Sequence, residues 1–195
     1  MAKQTPEEFK AELRQVYLAK RDAIPAEARA AAAEGIAQRS FPYQIKPGMV
    51  VSAYAPMRTE LNPAPLMRKL ADAGATLALP VVVARGKPLV MREWAFGQPL
   101  ATGVWGIREP TPEAAEAWPD ILLVPLAVFD RKGNRIGYGA GYYDLTINRL
   151  RLIKPVIAIG LAYQAQHAAV VPFTPRDARL DLVLTEREVI DCGRK

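Results

Sequence analysis

The first hydrophobic pattern along the chain is helical. Phe9, Leu13 and Val16 fall at helical spacing, so one stripe of the N-terminal segment is predicted to face the core. Thr5 can cap this helix, Pro6 suits its first position, and Glu8 stands three residues after the cap, as a capping box requires. Lys10, Arg14 and Arg21 lie at i, i+4 and i+11, which gathers three cations on a neighbouring flank. Taken alone, such a stripe reads as a solvated helix face. A second helix is predicted from about Pro25 to Gln38, where an alanine-rich run has high propensity.

From Gly48 the period shortens. MVVSAY reads as a buried strand that stops at Ala55-Pro56. Asn62 and Pro63 open a helix that Gly74 closes, and TLALPVVV and LVMREW read as further strands. Residues 96–119, rich in Pro, Gly and Trp, read as a long surface excursion. DILLVPLAVF, KPVIAIGL and LDLVL supply the remaining strands, with a helical pattern (LTINRLR) between the first two. This alternation predicts a single α/β domain over residues 1–195 with a largely parallel sheet. Such sheets bind ligands beyond the carboxyl ends of their strands. Three loops leave strands there: APMRTE, the segment that follows LALPVV and VMREW, and FDRKGNRIGYGAGYYD.

Composition narrows the chemistry. Half of the 195 residues are hydrophobic and 24% are charged, ordinary values for a chain that can bury a core. No run approaches the roughly 18 apolar residues of a membrane span, and the start MAKQTPEEFK lacks the apolar region of a signal peptide. One cysteine, Cys192, builds neither a disulfide framework nor a zinc site, so a reducing cytoplasm is expected. With a single histidine, His167, triad and zinc-hydrolase chemistry lack parts. Carboxylates, basic groups, backbone amides and a bound cation are left to carry any reaction. The net charge of +6 is scattered, with no block of five or six Lys/Arg, which fits phosphate-bearing small molecules, or no ligand meaning at all, at least as well as nucleic acid.

The stretch from Asp130 to Asp144 is the most informative. Gly137, Gly139 and Gly141 alternate, followed by Tyr142, Tyr143 and Asp144 and then a helical pattern. Glycines at alternate positions let backbone N–H groups converge on an anion, and a helix N-terminus directly after them adds partial positive charge. Arg135 supplies a fixed cation with Lys132 nearby, and Asp144, in the first helical turn, is placed to hold a magnesium ion bridging phosphates. No Gly-Lys-Ser/Thr follows, so this is not a Walker loop. The spacing is not the dinucleotide fingerprint either, since no strand is predicted to end immediately before Gly137. Two readings stay open on these residues alone: an anion cradle, or a strand-to-helix turn in which Tyr142 and Tyr143 pack as core aromatics.

FDRKGNRIGYGAGYYD closely resembles the signature of the 5-formyltetrahydrofolate cyclo-ligase family, approximately F-D-x-x-G-x-R-L-G-x-G-x-G-Y-Y-D. Other matches follow in order along the chain: Lys10 and Arg14 on the first helix, Glu60 in Y-A-P-M-R-T-E-L, Trp105 before Gly-Ile-Arg-Glu-Pro, and Leu180-Asp181-Leu182-Val183. The resemblance implies an α/β fold of three layers, an open, largely parallel sheet with helices on both faces, similar to the NagB/RpiA/CoA-transferase-like fold. It implies ATP- and magnesium-dependent cyclisation of 5-formyltetrahydrofolate to 5,10-methenyltetrahydrofolate, with release of ADP and phosphate through a phosphorylated formyl oxygen. The alternative within that fold is a non-cyclising protein that binds a nucleotide or sugar phosphate.

The resemblance also assigns roles. Arg135, Ile136, Gly137, Tyr138, Gly139, Ala140, Gly141, Tyr142 and Tyr143 are similar to the family's ATP loop, with Arg135, Lys10 and Arg14 as a catalytic charge clamp. Asp144 and Asp181 resemble metal-binding positions, Asp181 with the alternative of an ordinary strand-end carboxylate. Glu60, Ala55 and Trp105 are the expected folate contacts: a carboxylate for the pterin's donor edge, a residue lining the pocket and a stacking ring. Tyr138 and Ala140 stand where some relatives carry Arg or Lys, which raises the question whether Arg131 or Lys132 compensates. The expected setting is a cytoplasmic monomer with a small-molecule partner, without nucleic acid or membrane.

Overall fold

A computed structural model describes residues 5–193. Helix α1 (Pro6–Asp22) begins with the complete capping box: Thr5 Oγ1 accepts from the Glu8 N–H, and the Glu8 carboxylate accepts from the Thr5 N–H. Helix α2 (Ala26–Gln38) follows, then β1 (Val50–Ser52), α3 (Ala64–Asp72), β2 (Thr76–Val81) and β3 (Val90–Glu93). The hairpin β4 (Leu100–Thr102) and β5 (Arg108–Pro110) comes next. The second half holds β6 (Ile121–Pro125), β7 (Val128–Phe129), β8 (Arg135–Ile136), α4 (Tyr142–Ile153), β9 (Ile157–Leu161), β10 (Leu182–Leu184) and β11 (Val189–Asp191).

Seven strands form one sheet in the order β11-β10-β9-β6-β1-β2-β3. The five inner strands are parallel, and the two edges, β3 and β11, run antiparallel. Period-two alternation divides the strand residues between two cores. Leu77, Leu79, Ile121, Leu123, Ile159 and Leu161 pack towards α2 and α3 through Ile36, Leu66 and Leu70. Ala78, Leu122, Val124, Ala158 and Val183 pack towards α4 through Ile147 and Leu150. The sheet is thus the middle layer of three, with helices on both faces. Among the described residues, no helix is long and apolar enough to cross a membrane.

Several local expectations change. DILLVPLAVF divides into β6 and β7, and β7 turns back to pair with β8. A two-residue strand therefore does end immediately before Gly137, and its brevity leaves no periodicity to read. The antiparallel edge β11 was not predicted. Residues 96–119 are a built element rather than a bare loop: besides the β4–β5 hairpin, the Glu93 N–H donates to Ala115 O, and the Ala117 N–H to Met91 O. On α1, Phe9 and Val16 are exposed, and the inward face is Leu13 and Tyr17, four apart, against Val128, Ile136, Ala168 and Val171.

Candidate active site

The glycine loop leaves β8 at the carboxyl side of the sheet and enters α4. Gly139 (φ 98°) and Gly141 (φ 70°) both take the left-handed backbone that side chains resist. Gly141 is the N-cap of α4, so it offers no side-chain oxygen, and the first helical bond runs from the Leu145 N–H to Gly141 O at 3.0 Å. The amides of the first helical turn consequently lack intrahelical partners. A Cβ added at Gly137 or Gly141 would meet nothing within 4 Å, and at Gly139 only the Arg14 guanidinium, from 3.6 Å. This is an open cradle of backbone donors with one cation across it. Arg14 is fixed there because its Nε donates to Gly137 O at 2.7 Å.

The other predicted site residues distribute unevenly around this cradle. Lys10 pairs through Nζ with Asp177, whose carboxylate also accepts from the Thr174 N–H at 2.6 Å. Burial raises the Asp177 carboxyl, but the Lys10 and Thr174 hydrogen bonds outweigh it and hold the group below its ordinary value. Arg135 was expected to aim at phosphates. Its side chain is instead 3% exposed and donates to Ala178 O and to Asp144 Oδ1, the latter at 2.9 Å. It turns inward because β8 is buried on the α1 side while Asp144 and Ala178 offer acceptors beneath the loop. Ile136 contributes a core side chain, and Tyr142 and Tyr143 pack partly against the α4 core.

The two carboxylates assigned to a metal do not gather into one cluster. Asp144 is 27% exposed at its side chain and takes both Arg135 and the Ala178 N–H (2.9 Å) on Oδ1. Oδ2 accepts no hydrogen bond from the described residues. Asp181 stands at the start of β10, bonded to Arg151 and to the Ala158 N–H, each at 2.8 Å on Oδ2. Arg151 lies two turns down α4 from Asp144, about 10 Å along the axis. The acid that does reach the cradle is Asp177, the residue before the Ala178 that holds Asp144. No group of three His, Cys, Asp or Glu residues suited to a metal occurs among the described residues. Asp144 and Asp177 could therefore hold a cation only with oxygens supplied by a bound ligand, and they suit a magnesium carried on phosphates.

A second cluster forms around Glu60. The turn after β1 places Arg58 at φ 52°, the one non-glycine residue with positive φ among those described. Glu60 is 8% exposed and accepts from the Met57 N–H at 2.7 Å. Tyr54 and Tyr163 brace the turn, donating to Leu61 O (2.7 Å) and Glu60 O (3.4 Å). Burial pushes the Glu60 carboxyl up; the Met57 N–H, the Tyr138 hydroxyl and the Arg21 charge pull the other way. The Tyr143 hydroxyl is buried near this carboxylate with no hydrogen-bond partner among the described residues. Ala55 follows Tyr54 at the strand end, half-buried. Tyr163 also lines an open cavity of about 340 Å³, together with Ile24, Ala28, Gln164 and Arg187.

Trp105 lies in a short 3-10 turn, Val104–Gly106, between β4 and β5, and its side chain is outside the described residues. That turn rests on Glu109, a buried carboxylate that accepts from the Val82 N–H at 3.2 Å beyond the end of β2. A side chain at Gly103 would collide with the Glu109 carboxyl. Arg131 does not compensate for the uncharged loop positions, since it pairs with Glu188 at 2.5 Å on the β10–β11 turn. Two residues were missed in the sequence: Asp177, which sits in irregular chain with no periodic signal, and Arg21, whose place on the flank of Lys10 and Arg14 was legible but whose burial was not.

The chain is similar to known proteins of one family. The sequence model of the 5-formyltetrahydrofolate cyclo-ligase family matches residues 6–186. A 5-formyltetrahydrofolate cyclo-ligase of Mycolicibacterium smegmatis is 32% identical over 189 residues, covering 93% of this chain and 95% of that protein. One from Escherichia coli is 29% identical over 145 residues, covering 71% and 79%. The NMR structure of Aquifex aeolicus 5,10-methenyltetrahydrofolate synthetase superposes with a TM-score of 0.77 at 29% identity, over 96% of this chain and 95% of that one. A synthetase structure from Mycoplasma pneumoniae shares the fold, with a TM-score of 0.70 at 22% identity over 91% and 98%.

Proposed function

The chain belongs to the 5-formyltetrahydrofolate cyclo-ligase family, and from that premise we propose that it closes 5-formyltetrahydrofolate to 5,10-methenyltetrahydrofolate, consuming ATP with magnesium and releasing ADP and phosphate. The N5-formyl group is an amide, and its oxygen is a very poor leaving group. Phosphoryl transfer to that oxygen makes it a good one. N10 then bonds to the formyl carbon, the carbon–oxygen bond breaks, phosphate departs and N10 sheds its proton. Chemistry of this kind asks for positioning and charge neutralisation rather than a covalent nucleophile.

Each cluster supplies one part. The backbone amides of the glycine loop, Gly137 to Gly141, and the N-terminus of α4 bind phosphate oxygens, with Arg14 and Lys10 as the cations that close over them. Arg135 acts beneath the loop, fixing Asp144. Asp144 and Asp177 hold magnesium, which neutralises charge on the transferring phosphoryl group when bound. Glu60 accepts hydrogen bonds from the flat donor edge of the pterin, Ala55 lines the same pocket, and Trp105 stacks on the folate rings. The enzyme works as a cytoplasmic monomer on a small molecule, with neither nucleic acid nor membrane as a partner.

The observation that carries this reading is the uncapped start of α4, entered through left-handed Gly139 and Gly141 with Arg14 across it. Purified protein with 5-formyltetrahydrofolate is expected to develop the near-ultraviolet absorbance of the methenyl product only when ATP and magnesium are both present. Product formed equally without ATP would overturn the mechanism. Nucleotide binding with no product at all would favour a non-cyclising phosphate-binding role.

A further inference from the structure

The glycine loop and the Glu60 turn meet at one side chain. Tyr138 stands between Gly137 and Gly139, and its hydroxyl accepts from Arg21 Nη1 at 2.7 Å. The same hydroxyl and the Arg21 charge both favour the ionised form of Glu60, against its burial. Arg21 itself is 1% exposed, and its Nε donates to Thr59 Oγ1, next to Glu60, at 2.9 Å. A guanidinium taken out of water needs its donors satisfied. Here two of them go to the two loops of the site, Thr59 on one side and Tyr138 on the other.

We propose that Arg21 and Tyr138 form a strut that couples the two ligands, so that nucleotide and folate each tighten the binding of the other. This rests on the assignment of ATP to the glycine loop and of folate to Glu60. Tyr138 is 39% exposed and stands on the loop that turns through left-handed Gly139. Closing that loop on phosphates fixes the hydroxyl, and the fixed hydroxyl in turn orients Arg21 and Glu60. The cost of ordering the strut is incurred once, by whichever ligand arrives first, and the second ligand binds without it. Linkage makes the gain the same in either order. Arg21 and Tyr138 are positioning residues in this scheme.

The experiment is calorimetric titration of 5-formyltetrahydrofolate with and without magnesium and a non-hydrolysable ATP analogue, and the reverse titration. In the wild type each ligand is expected to tighten the other by about tenfold, within the usual range of coupling between sites. In Tyr138→Phe, which loses only a hydroxyl at a partly exposed position, that factor falls to within about twofold of unity, whatever each ligand's own affinity becomes. Arg21→Lys keeps the charge but not the planar fork, and its factor falls likewise. A Tyr138→Phe variant that retained the wild-type factor would overturn the proposal. So would a wild type that bound both ligands with a factor of one. A wild type that bound folate but never the analogue would instead strike at the nucleotide assignment, and the coupling would fall with it.

Discussion

Helix α4 carries an arginine–aspartate pair at each end, and the two pairs do different things. At its start Arg135 meets Asp144 at 2.9 Å, and near its end Arg151 meets Asp181 at 2.8 Å. The second pair is tied into the backbone around it. Arg151 also donates to Arg179 O, Asp181 also takes the Ala158 N–H, and Lys154 covers the helix end by pairing with Asp120 at 2.6 Å. The first pair stands at the glycine loop: Asp144 Oδ2 accepts no hydrogen bond from the described residues, and the Arg14 guanidinium lies against Gly139 of that loop. An ion pair is therefore no sign of a site. The glycine loop and the Arg14 guanidinium that flank the first pair set it apart.

The sharpest way to break this contrast is to neutralise one acid at each end. Asp144→Asn is expected to lower kcat/KM about a hundredfold and raise the magnesium requirement, as loss of a metal-holding carboxylate should. Asp181→Asn should leave kcat/KM of the folded enzyme within about twofold and lower the melting temperature instead, because a largely buried partner is removed. Equal kinetic losses would erase the distinction. Next in size, Arg14→Ala removes a charge-assisted contact of about 2 kcal/mol, which predicts a loss of roughly thirtyfold in kcat/KM for ATP with the melting temperature nearly kept.

A smaller effect separates the cradle from the Glu60 turn. Glu60→Gln is expected to raise KM for folate about tenfold and to leave KM for ATP nearly unchanged. The smallest concerns pH and stability. Because burial lifts the native Glu60 carboxyl above its unfolded value, the wild type loses stability as pH rises through the interval between the two. Glu60→Gln has nothing to titrate there. Its melting temperature relative to wild type should therefore climb as pH rises above the ordinary glutamate range.

Much of this was legible before any coordinates. The capping box of α1 and the alternating strands depend on local chemistry and period, and both formed where read. The glycine loop was visible because its conformation demands residue types that stand out in a sequence. What local pattern could not reveal was direction and partner. Arg135 could face outwards or inwards, and only the acceptors at Asp144 and Ala178 decided it. Asp181 drew attention because it sits in a readable strand, whereas Asp177 lies in irregular chain and reaches the cradle only through tertiary packing. The strands β8 and β11 have two and three residues, too few to show a period.

The turn that presents Glu60 has a cost of its own. With Arg58 held at positive φ, the segment is a sprung clip whose latch is backbone shape, worth about 1 kcal/mol against an L-residue. Glycine or asparagine at that position would sit there at ease, and a valine or isoleucine would pry the clip open and set the carboxylate adrift. Where Glu60 holds the pterin as proposed, fine control over that affinity would rest with a residue that need never touch it.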